Sequence, residues 1–505
     1  MSTILAGMMS VCTPMALGLM LCGVVLGIVF GALPGLSATT GIARCLPLTF
    51  KLSPVDSIAL LIGIYVGGIS GSLISAILIN VPGTAASVAT CFDGHPMAQQ
   101  GKAGNALGIG LMASFIGTLL SFIALVTIAP TLAQITIKFT PFEYFAIVLF
   151  SLTLIGTLIS GSVVKGLLAG VTGVLLGCVG VAPGTGTLRF TFNVVELSAG
   201  LSQTPGMVGV FALGAQLGII SKGFKAHEDE VQQCKLKGFG MPLADWIKQI
   251  PNIIRSALLG IGIGILPGIG GGTSNLIAYG VAKSCSKYPE KFGTGIPDGI
   301  VASETSNNAS VGGALIPLLT VGIPGDTVTA MLLGALTIQG LTPGPLLFNT
   351  NGVFVYGLFT AVLISTIMMI IVEYSGMRAV VKILGAPRYI LLPVILVICM
   401  AGIFTCNNRV FDLWIMLFFG IIAFIMSRYG FPTAPMILGF ILGPYLETYM
   451  VRANQLGRGS LMPIFQRPIA MGFLIVMAAF VVFQIYTNVK KMKAGNDNPI
   501  EDVDD

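Results

Sequence analysis

Charge is scarce in this chain. Only 9% of its 505 residues are Asp, Glu, Lys or Arg, against about 25% in an ordinary soluble protein. With 54% of the residues hydrophobic, too little polar surface remains to cover a soluble fold of this length. Histidine is scarcer still, at His95 and His227 alone. No Ser/His/Asp constellation, metal-ligand cluster or phosphate loop stands out, so the chain reads as a non-enzyme. The run "GIGGG" from Gly268 to Gly272 lacks the strand context of a nucleotide loop. Nine Cys residues show no CxxC or metal-type spacing and read as small buried hydrophobes. The first thirty residues hold no Lys or Arg. They lack the basic start of a signal peptide and run on apolar too long for one, so they read as a retained first helix. The net charge of +6 is not a nucleic-acid footprint, because much of the basic charge falls in loops.

What the chain does have is long apolar runs and 66 Gly residues. Many runs approach the roughly 20 residues that span a bilayer, which makes the chain an all-α polytopic membrane protein. In the first half the candidate segments are Ile4–Phe30, Ser57–Asn80, Ala103–Gln134, Phe142–Ser160 and Val163–Val181, with a shorter one at Met207–Ile220. The second half offers Ser256–Leu266, Ile300–Val321, Val328–Leu341, Val353–Tyr374, Tyr389–Ile403, Asp412–Ile425, Ala434–Tyr445 and Ile469–Ile485. Between the halves lies a polar stretch, Ser221–Arg255, with Lys222, Lys225, Lys235, Lys237, Lys248 and Arg255. Its charge places it in the cytoplasm, and the Lys490–Lys493 cluster places the polar, disordered tail there too. The expected organisation is a first transmembrane repeat over 1–205, a short apolar segment and basic loop over 206–255, and a second repeat over 256–450. A connecting loop and last helix over 451–489 and the tail over 490–505 follow.

The repeat shows in the motifs. "GALPGLSATTG" (Gly31–Gly41) matches "GILPGIGGGTS" (Gly264–Ser274). "YVGGISGSLISAILINVPGT" (Tyr65–Thr84) matches "SVGGALIPLLTVGIPGD" (Ser310–Asp326). Two matches in the same order imply an internal repeat, the usual construction of transporters that bind substrate at mid-membrane. If Met207–Ile220 lies in the interface instead of spanning, the repeats are inverted. An elevator-like movement of the Pro-Gly core is then the expected mechanism.

Each Pro-Gly pair breaks a helix. Pro suits a first helical turn and Gly a sharp bend. A helix that starts inside the membrane points unpaired N–H groups and partial positive charge outward, which is an anion site without Lys. Four such ends could hold a di- or tricarboxylate. The expected contacts are Gly35, Ser37, Thr39, Asn80, Gly83, Thr84, Gly268, Gly270, Thr273, Gly325 and Thr327. Thr40, Ser274 and Asn275 lie close by. Acids inside a membrane are costly and usually functional. Glu304, Asn307, Asn308 and Asp326 therefore form the expected cation set, for Na⁺ or a proton. Alternative roles are an interfacial Glu304 paired with Lys, an Asp326 that caps a helix, and a structural Arg44 in place of one that meets a carboxylate.

"GALPGLSATTGIARCLPLTF", "GSLISAILINVPGTAASVAT", "FDGHPMAQQGKAGNALG", "ASETSNNASVGGALIPLLTVGIPGD" and "LGFILGPYLETYMVRANQLGRGSLMPIFQRPIA" together resemble the large membrane subunit of tripartite tricarboxylate transporters, the TctA type. The resemblance runs from Gly31 to about Ile469. It implies a bacterial inner-membrane importer of carboxylates such as citrate. Its implied partners are a periplasmic solute-binding protein and a small membrane subunit. Its implied drive is a Na⁺ or H⁺ gradient, with no other cofactor. Arg44, Asp326 and His95 depart from the family pattern and bear on substrate choice. Other classes to weigh are a channel-like scaffold and a carboxylate transporter without a binding protein.

Overall fold

A computed structural model of the chain describes residues 3–33, 36–80, 82–158, 163–221, 238–267, 270–383, 393, 396–397, 399–401, 403–404 and 408–493. The first helices are α1 (Thr3–Ser10), α2 (Pro14–Ala32), α3 (Ala38–Cys45), α4 (Pro54–Ile79), α5 (Val88–Met97), α6 (Ala103–Thr136), α7 (Pro141–Leu158) and α8 (Val163–Gly177). A hairpin of two short strands, β1 (Gly180–Val181) and β2 (Leu188–Arg189), pairs Gly180 with Arg189. Then come α9 (Gln203–Val208), α10 (Ala215–Ser221), α11 (Leu243–Ile265), α12 (Gly270–Cys285), α13 (Pro297–Val321), α14 (Thr327–Ile338), α15 (Leu347–Thr350) and α16 (Gly352–Ile383). The last are α17 (Val410–Arg428), α18 (Thr433–Leu456) and α19 (Pro468–Lys493). Among the described residues, Pro14–Ala32, Pro54–Leu78, Val88–Thr136, Gly352–Met377 and Val410–Arg428 are long and apolar enough to cross a membrane. The chain is thus a multi-pass, all-α membrane protein.

Local chemistry sets the helix starts. Thr13 accepts the N–H of Ala16 ahead of Pro14, and Ser53 accepts that of Asp56 ahead of Pro54. Both are side-chain caps followed by Pro at the first helical position. The chain forms two compact units, Met1–Lys138 with Leu201–Thr433, and Phe139–Gly200 with Ala434–Asp505. Each draws on both halves of the sequence.

At the centre of the first unit are α4 and α13. Every α13 residue from Gly299 to Thr320 is buried, although this helix carries a run of polar side chains. The apolar window of α4 is likewise wholly buried. Helix α4 packs on α2, and α13 on α6 and α11. Glycine brings the backbones into contact: a Cβ on Gly27 would lie 2.5 Å from Ile64 O, and one on Gly313 2.7 Å from Ile261 O. Small residues at such interfaces are the usual means of tight helix packing in membranes. In the second unit, α7 meets α8 and α19. Arg189 holds Glu447 of α18 through two hydrogen bonds of 2.7 and 2.8 Å. That pairing raises the Arg189 pKa above its ordinary value.

Several boundaries differ from the sequence reading. Ser256–Leu266 is only the end of α11, which begins at Leu243 inside the stretch assigned to the cytoplasmic loop. Leu243, Ile247, Ile250, Ile254 and Leu258 recur at helical spacing as an exposed apolar stripe, and this period carries the helix through Pro251. Met207–Ile220 lies in a helical run from Gln203 to Ser221 that contains a π segment, Gly209–Gly214, between α9 and α10. Helix α18 continues past Tyr445 to Leu456, and Glu447 on it pairs with Arg189. Lys490, Lys491 and Lys493 belong to α19 instead of the tail. Residues 222–237, 494–505 and most of Tyr389–Ile403 lie outside the described residues.

Candidate functional site

The four Pro-Gly stretches of the two matched motif pairs belong to the first unit, and each follows the end of a long helix. Helix α2 ends at Leu33 and α11 at Leu266, both in extended backbone. Helix α4 ends at Asn80 and α13 at Gly322, both with left-handed backbone, φ 54° and 79°. Gly35 and Gly268 lie outside the described residues.

The new helix starts are capped by their own side chains. Ser37 Oγ accepts the Thr40 N–H at 3.2 Å, and the Thr40 hydroxyl receives the Ser37 N–H at 2.7 Å. Thr84 Oγ1 accepts the Ala86 N–H at 3.2 Å at the start of a 3₁₀ turn, Ala85–Ser87. Asp326 Oδ1 accepts the Thr329 N–H at 2.7 Å. Part of the N–H supply expected to face an anion is therefore already used within these turns.

The breaks converge although the sequence separates them widely. The Thr39 and Thr327 hydroxyls lie 3.0 Å apart, joining the first break to the fourth. A Cβ on Gly270, where φ is +64°, would lie 2.8 Å from Asp326 Cβ, so the third break also meets the fourth. Gly83 packs on Gly31 O, with Ser75 Oγ 2.8 Å from where its Cβ would be. Asn275, in the helix after the third break, donates to Ala86 O beside the second. Gly325 packs on Gly264 O and Ala314. Thr273 is half-buried on the first turn of α12, and Asn80 is exposed.

The expected cation set divides into two places. Glu304 and Asn308, one turn apart on α13, share one fully buried network. Thr90 Oγ1 donates to Glu304 Oε1 at 2.5 Å and Ser114 Oγ to Oε2 at 3.0 Å. Asn308 Nδ2 donates to Ser114 Oγ at 2.8 Å and to Glu304 O at 3.1 Å. No Lys pairs with this carboxylate among the described residues. Asn307, three residues after Glu304, lies between that carboxylate and α12: its Oδ1 lies 2.6 Å from where a Gly271 Cβ would be. Asn307 Oδ1 and Asn275 Oδ1 are both buried without a hydrogen-bond partner. Asp326 serves as the N-cap of α14, and its Oδ2 also accepts from the Tyr65 hydroxyl at 2.8 Å.

Among the buried acids that the sequence reading passed over, Glu373 and Asp93 stand out. Glu373 on α16 accepts from Ser70 Oγ at 2.7 Å, and its Oε1 has no partner. A lone acid in the apolar run "IMMIIVEYSG" is itself a signal. Asp93 accepts from the Gly293, Gly295 and Ile296 N–H groups and from the Tyr279 hydroxyl. It fixes the loop before α13.

Buried hydroxyls, amides and acids around four broken helices, together with apolar spans, define a polytopic membrane protein with a polar interior. The chain belongs to the tripartite tricarboxylate transporter TctA family, whose profile matches residues 17–438. It is 36% identical over 493 residues to an uncharacterised 52.8 kDa protein of the TAR-I ttuC' 3' region of Agrobacterium vitis, covering 97% of each chain. It is 32% identical over 231 residues to an uncharacterised protein of the TAR-II ttuC' 3' region of the same organism, covering 46% of this chain and 96% of that one. No solved structure matches the chain.

Proposed function

We propose that this chain is the large permease subunit of a tripartite importer in the bacterial inner membrane. It takes a small, citrate-like di- or tricarboxylate from a periplasmic solute-binding protein, works with a small membrane subunit, and draws on a Na⁺ or H⁺ gradient. The observation that carries this reading is the meeting of all four breaks, with Thr39 against Thr327 at its centre, in a chain of this family. Backbone N–H groups and hydroxyls at helix starts suit an anion. In the proposed site Gly35, Ser37, Thr39, Gly83, Thr84, Gly268, Gly270, Thr273, Gly325 and Thr327 surround the carboxylate, with Asn80 at its edge. Glu304, Asn307 and Asn308 supply oxygens for the coupling cation, and Asp326 holds the start of α14 in place.

The order α2, α3, α4, break, α5 recurs as α11, α12, α13, break, α14, which supports two homologous repeats. An inverted arrangement, which suits alternating access, requires the α9–α10 stretch to lie in the interface. One unit contains all four breaks while the other contains none, and this supports an elevator-like core.

The test is uptake by the three-part assembly in proteoliposomes, offered labelled citrate, succinate, malate and tartrate under an imposed Na⁺ or pH gradient. Saturable, gradient-dependent accumulation of at least one is expected. Conduction without saturation would support a channel instead, and full uptake without the binding protein would remove that partner. Uptake of none of them under either gradient would refute the proposal.

A further inference from the structure

Arg44 sits in the last turn of α3 and is 3% exposed. Its Nε, Nη1 and Nη2 are all buried, and none has a hydrogen-bond partner. Its Cζ lies 5.3 Å from the centre of the Phe30 ring, and its titratable neighbours are the thiols of Cys45 and Cys399, not carboxylates. A ring beneath a guanidinium satisfies one face and none of its five N–H donors. A snorkelling Arg keeps its head in water, and this head is buried. A helix-end role would bring the last carbonyls into hydrogen bonds, and none is made. Charged donors left unpaired in a buried place are costly unless something else occupies them.

The guanidinium lies over Phe30, at the place where Gly41 leaves room for that ring. Gly41 has no side chain to block Phe30: a Cβ there would lie 2.9 Å from Phe30 Cδ2. Thr39, which meets Thr327 at the convergence of the breaks, is five residues earlier on the same helix, about 7.5 Å along its axis.

We propose that Arg44 is a substrate anchor that takes one carboxylate of a di- or tricarboxylate in a bidentate grip while another carboxylate lies at the convergence of the breaks. The planar fork matches a carboxylate, and a monocarboxylate cannot reach both places. This rests on the carboxylate reading of the site.

The full chain, purified in detergent, is titrated with succinate, malate, tartrate and citrate, and with acetate as control, with binding read from the ligand-dependent rise in apparent Tm. Wild type should bind at least one of the four. Arg44→Leu should weaken that binding about ten- to hundredfold, and Arg44→Lys, which keeps the charge but loses the fork, about tenfold. Any response to acetate should not change. Without ligand, Arg44→Leu should be as stable as wild type or more so, because an unpaired buried charge is removed. Equal binding by wild type and Arg44→Leu, or a ligand-free Arg44→Leu that is clearly less stable, would overturn the inference alone. If Arg44→Leu does not fold, it has failed the stability test. Wild type that binds none of the four would overturn the carboxylate reading together with it.

Discussion

Replacing Asp326 separates a helix cap from an ion ligand. Its Oδ1 accepts from the Thr329 N–H and hydroxyl, both at 2.7 Å, and its Oδ2 from the Tyr65 hydroxyl at 2.8 Å. Asn caps a helix as well as Asp does. In Asp326→Asn the amide oxygen keeps both Thr329 bonds, the amide nitrogen donates to Tyr65, and the Tyr65 hydroxyl turns to accept. The cap is kept, but the Tyr65 O–H proton loses its acceptor, so the cost should be about 1–3 kcal/mol. Asp326→Ala removes the cap, about 0.5–2 kcal/mol. It also leaves the hydroxyl of fully buried Tyr65 without an acceptor, about 1–3 kcal/mol. The loss should total about 1.5–5 kcal/mol. The assay is apparent Tm of the purified chain, followed by cation dependence of uptake in proteoliposomes. Asp326→Asn should keep the cation dependence and lower the Tm less than Asp326→Ala does. An Asp326→Asn protein as unstable as Asp326→Ala would refute the cap. A stable one with altered cation dependence would move the ion to Asp326.

Glu304→Gln removes the carboxylate charge, while its amide oxygen can face Ser114 and Asn308 and its nitrogen can donate to Thr90, which turns to Ser303. Gradient-driven uptake should fall at least tenfold while carboxylate binding persists; unchanged cation dependence would show that the ion binds elsewhere. Gly83→Val would press side-chain atoms on Gly31 O, Ser75 and Ser72, an overpacking that costs about 1–3 kcal/mol or more. Uptake should be lost with the protein still in the membrane, and normal transport would remove this break from the site. Single Cys labels near Ser2 and near Gly240, in a background stripped of exposed Cys12, Cys22 and Cys285, should react from opposite sides of the membrane. Reaction of both from the cytoplasm would exclude inverted repeats.

The spans were legible because apolar length is a local property, and α4, α6, α13 and α16 fall close to the runs read from the sequence. The breaks were legible because Pro and Gly act on their own turn. Their convergence was not, since the Thr39–Thr327 contact joins residues 288 positions apart and depends on packing. Asn307 and Asn308 were read as one set because they are adjacent. Residues three and four apart share a helix face, so both flank Glu304, and Asn307 also meets α12. The start of α11 was hidden by Lys248 and Arg255, whose charges suggested a loop while the apolar period beneath them continued.

Whether the core moves as one body turns on contacts between the two halves of the sequence. Thr90 of α5 and Ser303 of α13 face each other with their hydroxyls 3.1 Å apart, both fully buried. Around them the glycine contacts of α2 with α4 and of α11 with α13 leave no slack for sliding. An elevator core keeps all of these contacts while it moves, whereas a gate that opens between the repeats must part α5 from α13. Cys at both positions can form a disulfide with little backbone movement, since the bond needs sulfurs about 2.05 Å apart. Thr90 also donates to Glu304, so the substitution itself will weaken coupling. The reduced double mutant is therefore the reference, and oxidised and reduced protein are compared in the same proteoliposomes. Equal initial rates are expected, because the link ties together parts that never separate. Loss of uptake on oxidation that returns on reduction would mean that the halves part during transport, and the elevator would be the wrong mechanism.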